Sequence, residues 1–182
     1  MNVLAYVAAS YRTATVAALR GAGEVITCPP FCEEMLPVEK FKHLDLLVLN
    51  LHGLPDHGHW YGDNLLVAMT AERVRSLSLY DVGVFGYNCF LGDPQHPMRA
   101  ALKQAGAEWV VAGAGENFAG IKNMQGADVL LRWFLPKVMD GWPPEEALWF
   151  AKLMVLLTPR ITKAARQALA DAREFEIFWR SR

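Results

Sequence analysis

The stretch that most constrains this chain is Leu44-Asp45-Leu46-Leu47-Val48-Leu49-Asn50-Leu51, which only Asp45 and Asn50 interrupt. A strand with one face in water alternates apolar and polar residues. A nearly continuous apolar run of this length belongs to a strand covered on both faces, as in parallel sheets flanked by helices. Residues 2–8, 81–87 and 108–112 read the same way, and 24–28 is a further strand ended by Pro29-Pro30. Helical patterns lie between them. Residues 13–20 form a short helix stopped by Gly21, 97–105 one stopped by Gly106, and 128–140 one with a kink at Pro136 and a stop at Gly141. Pro143-Pro144-Glu145-Glu146 places proline and acid in the first turn of another helix. Residues 162–173 form an Ala-rich amphipathic helix, and 175–179 a last strand. Residues 31–42 carry only a weak helical signal. Strands alternating with helices imply a layered α/β fold.

A chain of 182 residues that is 53% hydrophobic can bury one sizeable core, so residues 1–182 are expected to form a single domain. The net charge of −1 and the absence of Lys/Arg runs argue against nucleic acid as a partner. The apolar N-terminus has no basic leading region and reads as a first strand rather than a signal peptide. Residues 147–157 form the longest apolar stretch. It is broken by Lys152 and is too short for a bilayer, so no membrane association is expected. That helix is apolar around its circumference (Trp149, Phe150, Leu153, Met154, Val155, Leu156), which calls for burial in the core or against a second copy. Cys28, Cys32 and Cys89 make no even disulfide framework. The Cys28–Cys32 spacing resembles a zinc knuckle loosely, but no second pair follows. A reduced, cytoplasmic protein is the expectation.

Reactive groups stand at the ends of two of the apolar runs. His52-Gly53 follows the run 44–51, and Cys89 follows Gly86-Tyr87-Asn88. If these strands are neighbours in a parallel sheet, an imidazole and a thiol emerge side by side at one edge. A thiol attacks as the thiolate, so it needs a base or a depressed pKa. His52 is the base available, and a helix beginning near residues 93–97 would favour the anion through its dipole. The backbone N–H groups of Gly53 and Cys89 could hold an oxyanion. Between the two strands, His59-Trp60-Tyr61 and Leu65-Leu66-Val67 flank turn residues, a pattern for a small hairpin beside the sheet. Thr70 before Ala71-Glu72-Arg73-Val74 fits an N-cap and a short helix.

These pieces come in a recognisable order. Leu49-Asn50-Leu51-His52-Gly53, Gly58-His59-Trp60-Tyr61-Gly62-Asp63, Met69-Thr70-Ala71-Glu72 and Val84-Phe85-Gly86-Tyr87-Asn88-Cys89-Phe90-Leu91-Gly92 together resemble the caspase-fold (clan CD) cysteine peptidases. Cys-x-x-Gly after the strand, Ala101-Leu102…Ala105-Gly106-Ala107 with Trp109-Val110-Val111-Ala112, and the late Gly141…Glu146-Ala147-Leu148 resemble the CHAT-domain and metacaspase-like branch. The resemblance spans residues 44–157. It implies a three-layer α/β/α fold, with a six-stranded, mostly parallel sheet and helices on both faces. It implies a cysteine endopeptidase that works through a thioacyl intermediate, with catalytic His52 and Cys89 and an oxyanion hole at Gly53 and Cys89. No cofactor is implied, and the partner is a protein or peptide substrate. A regulatory partner and self-association stay open. In metacaspases an aspartate stands two positions before the cysteine, and in caspases a glutamine; here the position holds Tyr87. Tyr87, Asp93 and Glu116 are the candidate substrate contacts. The spacing of 37 residues between His52 and Cys89 is shorter than the roughly 50 of caspases.

Three other readings of the same residues stay open. His52, Asp56, His57 and His59 are dense enough in imidazole and carboxylate to suit a metal-dependent hydrolase. A caspase-like module could bind partners without catalysis. A flavodoxin-like nucleotide binder would have the same layers, although neither Gly-Ala-Gly-Glu copy, at Gly21 or Gly113, completes a phosphate-binding loop.

Overall fold

In the computed structural model, which describes residues 1–157 and 163–180, one six-stranded sheet organises the chain. Its strands are β1 (Val3–Ala8), β2 (Glu24–Cys28), β3 (Leu46–Asn50), β7 (Gly83–Gly86), β8 (Trp109–Gly113) and β9 (Phe175–Arg180). They lie in the order β2-β1-β3-β7-β8-β9. The first five are mutually parallel and β9 pairs antiparallel with β8. A second, three-stranded antiparallel ribbon is formed by β4 (His52–Gly53), β5 (His59–Tyr61) and β6 (Val67–Thr70). It is the hairpin expected between the two reactive strand ends, with one strand more.

The apolar runs are continuous because successive side chains enter two different cores. Leu4 and Tyr6 of β1, Leu47 and Leu49 of β3, and Val110 of β8 share one face. Val3, Ala5 and Val7, Leu46 and Val48, and Val111 share the other. Helices cover both. The first face meets α2 (Ala71–Ser76) through Val74 and α3 (Pro97–Gln104) through Met98, Ala101 and Leu102. The second meets α1 (Arg12–Leu19), α4 (Ala127–Met139), α5 (Pro144–Leu157) and α6 (Lys163–Glu174) through Ala18, Leu130, Phe134, Ala151 and Ala172. Phe85 anchors that layer, with ring centroids 5.0 Å from Phe134 and 5.6 Å from Phe175. Such aromatic pairs add about 0.5–1.5 kcal/mol each beyond the area they bury.

Local chemistry sets the element ends. Thr70 caps α2, its hydroxyl accepting the Arg73 N–H at 3.1 Å. Arg20, at the C-terminus of α1, takes the left-handed conformation before Gly21. Asp140 closes α4 ahead of Gly141, and Pro136 is accommodated within the helix. The expectation for α5 is met on one side only. Ala147, Leu148, Ala151 and Val155 are buried, whereas Trp149, Leu156 and Leu157 are exposed. The end of the 147–157 run therefore faces outward. Among the described residues, no helix is long and apolar enough to cross a membrane.

Candidate active site

Parallel register brings the two reactive residues to the same edge. Leu49 of β3 pairs with Gly86 of β7, and His52 and Cys89 each lie three residues beyond that rung. The C-terminal ends of parallel strands are where open α/β sheets place their sites, because the loops that leave there converge. The backbones of the two strand ends touch. A β-carbon on Gly53 would sit 2.4 Å from the carbonyl oxygen of Cys89 and 3.1 Å from its nitrogen, an approach only a residue without a side chain permits. Asn88 ties the ends further, its Oδ1 accepting the Leu51 N–H at 3.2 Å.

His52 is half-buried and turned toward the loop after β1. Its Nδ1 lies 3.3 Å from the Tyr11 hydroxyl, with ring centroids 5.1 Å apart. Burial lowers the imidazole pKa below its ordinary 6.5, and the nearby Asp63 carboxylate partly opposes that shift. Asp63 is held in place by the Ser10 backbone N–H at 2.9 Å and the Ser10 hydroxyl at 2.7 Å. The imidazole is therefore neutral at neutral pH, the state a proton acceptor requires.

Cys89 is partly buried, and its sulfur lies in the loop after β8. The Asn117 N–H donates to Sγ at 3.4 Å, and the thiol donates to the Asn117 carbonyl at 3.5 Å. Asn117 is itself held by its Nδ2, which donates to the Asn88 carbonyl at 3.1 Å. Burial raises the thiol pKa above its ordinary 9.0. The Asn117 N–H works against that shift, and the Glu116 charge works with it. The thiolate expected from a nearby helix dipole is thus not the resting state. The N-terminus of α3 is occupied by His96, whose Nδ1 accepts the Met98 N–H at 3.2 Å. The thiol and the imidazole are thus both neutral at neutral pH, the sulfur bonded to Asn117 and the imidazole to Tyr11. Tyr11 neighbours both groups: it bonds His52, and its own pKa is raised by burial first and then by the proximity of Cys89, whose thiolate would repel a phenolate.

The three residues considered as substrate contacts occupy different surroundings. Glu116 is exposed and close enough to Cys89 to influence its ionisation. Asp93 turns back on its own loop, Oδ1 accepting the Gln95 N–H at 2.8 Å. Tyr87 is buried on the α4 side of the sheet beside Phe85. Its hydroxyl faces Asp128, and burial first, then the facing carboxyl, raises the Tyr87 pKa. Asp128 Oδ2 accepts the Gly120 N–H at 2.6 Å and the Gln125 N–H at 3.2 Å. Asp171 accepts the Phe118 N–H at 3.1 Å. Two buried carboxylates thus anchor the segment that continues from Asn117. Burial raises Asp128 to about 7 and Asp171 to about 6.

The imidazole and carboxylate cluster expected around residues 52–59 does not assemble. His57 and His59 approach the Tyr61 hydroxyl at 3.2 and 3.4 Å, while His52 faces Tyr11. Among the described residues, no three His, Cys, Asp or Glu side chains come together as a metal-ligand group. Cys28 and Cys32, read loosely as half of a knuckle, instead have their sulfurs 2.7 Å apart.

Tyr11, Asn117, Asp128 and Asp171 escaped the sequence reading because each lies far along the chain from His52 and Cys89. One signal was available. Tyr11 and Asn117 both follow the C-terminal end of a parallel strand, so the rule that found His52 and Cys89 also covers them.

No family model matches the chain, and no curated protein matches it. Similarity appears at the level of structure. The crystal structure of gingipain R (RGPB), an Arg-specific cysteine proteinase, aligns with a TM-score of 0.66 at 12% identity, covering 98% of this chain and 46% of that one. The complex of Porphyromonas gingivalis RgpB pro- and mature domains aligns at 0.63 and 12% identity, covering 98% and 47%. A structure described only as a protease aligns at 0.58 and 11%, covering 98% and 46%. The chain therefore spans less than half the length of these proteins. What it has in common with them is the gingipain-like, caspase-like fold: a mixed α/β architecture around a six-stranded, mostly parallel sheet.

Proposed function

We propose that this chain is a cysteine endopeptidase of the caspase-fold type, with Cys89 as nucleophile and His52 as the group that takes and returns its proton. The carrying observation is the backbone contact of Gly53 on Cys89, which sets a neutral imidazole and a thiol on adjoining strand ends. In this reaction the Cys89 sulfur attacks the peptide carbonyl carbon as its proton passes to His52. The oxyanion forms beside the N–H groups of Gly53 and Cys89. One such donor is worth about 3 kcal/mol of transition-state stabilisation. His52 returns the proton to the departing amine, and water then hydrolyses the thioester. Apo geometry with no direct bond between base and nucleophile is compatible with this role, since such bonds tighten when substrate arrives. Tyr11 orients the imidazole, and the Asn117 N–H steadies the sulfur.

The motif order supports placement in the CHAT-domain and metacaspase-like branch, and a cytoplasmic setting accords with the unpaired Cys89. The exposed Glu116 supports a substrate side chain of positive or polar character near the thiol. The raised thiol pKa favours one second reading, a caspase-fold binding module that keeps the fold without the activity.

Both are tested by incubating the chain with a peptidyl chloromethyl ketone library and a casein substrate. The peptidase reading expects covalent labelling and cleavage that are lost in Cys89→Ala, and cleavage that is lost in His52→Ala. Equal labelling of wild type and Cys89→Ala, or casein hydrolysis that survives both substitutions, would refute it.

A further inference from the structure

Cys28 ends β2, and Cys32 follows the Pro29-Pro30-Phe31 loop. Their sulfurs stand 2.7 Å apart, well inside the separation of atoms that merely touch. Several contacts hold the loop in this shape. The Phe31 N–H donates to the Thr27 carbonyl at 2.9 Å, and the Met35 N–H to the Cys32 carbonyl at 2.8 Å. The Tyr6 hydroxyl donates to the Phe31 carbonyl from below. Two prolines with locked φ leave the segment little freedom to open. A disulfide requires the two sulfurs within bonding reach and a short separation of the β-carbons that carry them. In this pair the sulfurs are already in contact while both thiols are free.

The two cysteines differ in access. Cys28 is fully buried, and Cys32 is partly exposed. Burial and the neighbouring sulfur push the Cys28 thiol up to about 12, so Cys28 stays protonated and Cys32 is the thiol that meets solvent. The buried member rests on the ribbon that carries His52. A β-carbon on Gly62 would lie 2.2 Å from the Cys28 carbonyl oxygen and 2.6 Å from its sulfur. Gly62 directly follows Tyr61, the residue paired with His52 across the ribbon.

We propose that Cys28 and Cys32 form a redox-modification site, oxidised by low-molecular-weight disulfides to an intramolecular disulfide that braces the β4–β5–β6 ribbon. The Cys32 thiolate attacks one sulfur of the small disulfide, whose S–S bond breaks and releases one small thiolate. Cys28 then attacks Cys32 Sγ as its proton passes to the second small thiolate, which leaves as the free thiol. Two electrons pass from the cysteine pair to the oxidant, which ends as two free thiols. Cys89 takes no part, so the inference does not depend on the peptidase reading.

The test uses Cys89→Ala protein incubated with oxidised glutathione. The expected product is lighter than the reduced protein by two hydrogens and carries no glutathione. Proteolytic mapping is expected to join Cys28 to Cys32, and dithiothreitol to restore both thiols. Cys32→Ser, added to this background, should yield no cross-link. A persistent glutathione adduct on Cys32 beside a free Cys28, or no change in mass, overturns the site. In the wild type, oxidation is expected to raise the unfolding midpoint, and in Cys32→Ser to leave it in place. A wild-type midpoint that oxidation does not move overturns the bracing role.

Discussion

Replacing Gly53 with alanine probes the contact on which the site depends. The backbone of Gly53 does not occupy the left-handed region, so alanine meets no conformational penalty there and the whole effect comes from the added methyl. That methyl would lie 2.4 Å from the Cys89 carbonyl oxygen, where ordinary contact begins at 3.4 Å. The strand ends must therefore part by about 1 Å, and the neighbour that must move is backbone. Forcing an extra carbon into a packed site costs about 1–3 kcal/mol. For a chain of this size that corresponds to roughly 2–12 °C in Tm. A displacement of about 1 Å between reacting groups costs about 100-fold in rate. Differential scanning calorimetry and the rate of Cys89 alkylation by iodoacetamide read the two effects separately. Opening the contact should lower Tm and speed alkylation, while casein cleavage falls by about two orders of magnitude. A Gly53→Ala chain that melts with the wild type and alkylates at the same rate would show that the two strand ends are not in contact, and the site would have to be redrawn.

Other substitutions test separate parts of the structure. Phe85→Ala removes the ring shared by Phe134, Phe175 and Tyr87 and should cost about 3–5 kcal/mol in urea unfolding; a loss below about 1 kcal/mol would mean that layer is loosely packed. Tyr11→Phe deletes the hydroxyl on His52 and should lower kcat about 2- to 10-fold with stability nearly unchanged, the range expected for one modest hydrogen bond; an unaltered kcat would remove Tyr11 from the site. The Asp128 carboxyl, raised from 3.8 to about 7, binds its proton more tightly folded than unfolded. Its contribution is complete below pH 3.8 and is lost as pH rises toward 7, on the order of 4 kcal/mol in all. Asp171, raised to about 6, acts in the same direction. Urea midpoints measured across this range should fall with rising pH in the wild type and fall less in Asp128→Asn, and an equal slope in both would refute the assignment to Asp128.

The run 44–51 announced a strand covered on both faces, and the structure explains why it shows no alternation. Leu47 and Leu49 belong to one core and Leu46 and Val48 to the other, so a polar residue is unwelcome at either parity. Caps were legible because they are local: Thr70 bonds a backbone N–H three residues away. The helix 147–157 was legible as a helix but not in its burial, since Trp149 and Leu157 face outward and no local rule states which side a neighbouring element will cover.

Apart from the short strand at His52–Gly53 and the turns within residues 31–42, the sequence alone determined the main strands and helices, that the sheet is mostly parallel, and that an imidazole and a thiol stand at strand ends. These follow from interactions within a few residues and from the apolar pattern. Tertiary structure decided everything that depends on register across long separations. The pairing of Leu49 with Gly86 puts His52 and Cys89 on adjoining strand ends, and the order of strands brings Tyr11 to His52 and Asn117 to Cys89. The same packing buries Asp128 and presses Cys28 against Cys32. It also turns the thiol toward Asn117 and raises its pKa, because desolvation depends on what surrounds a group rather than on its neighbours in the chain.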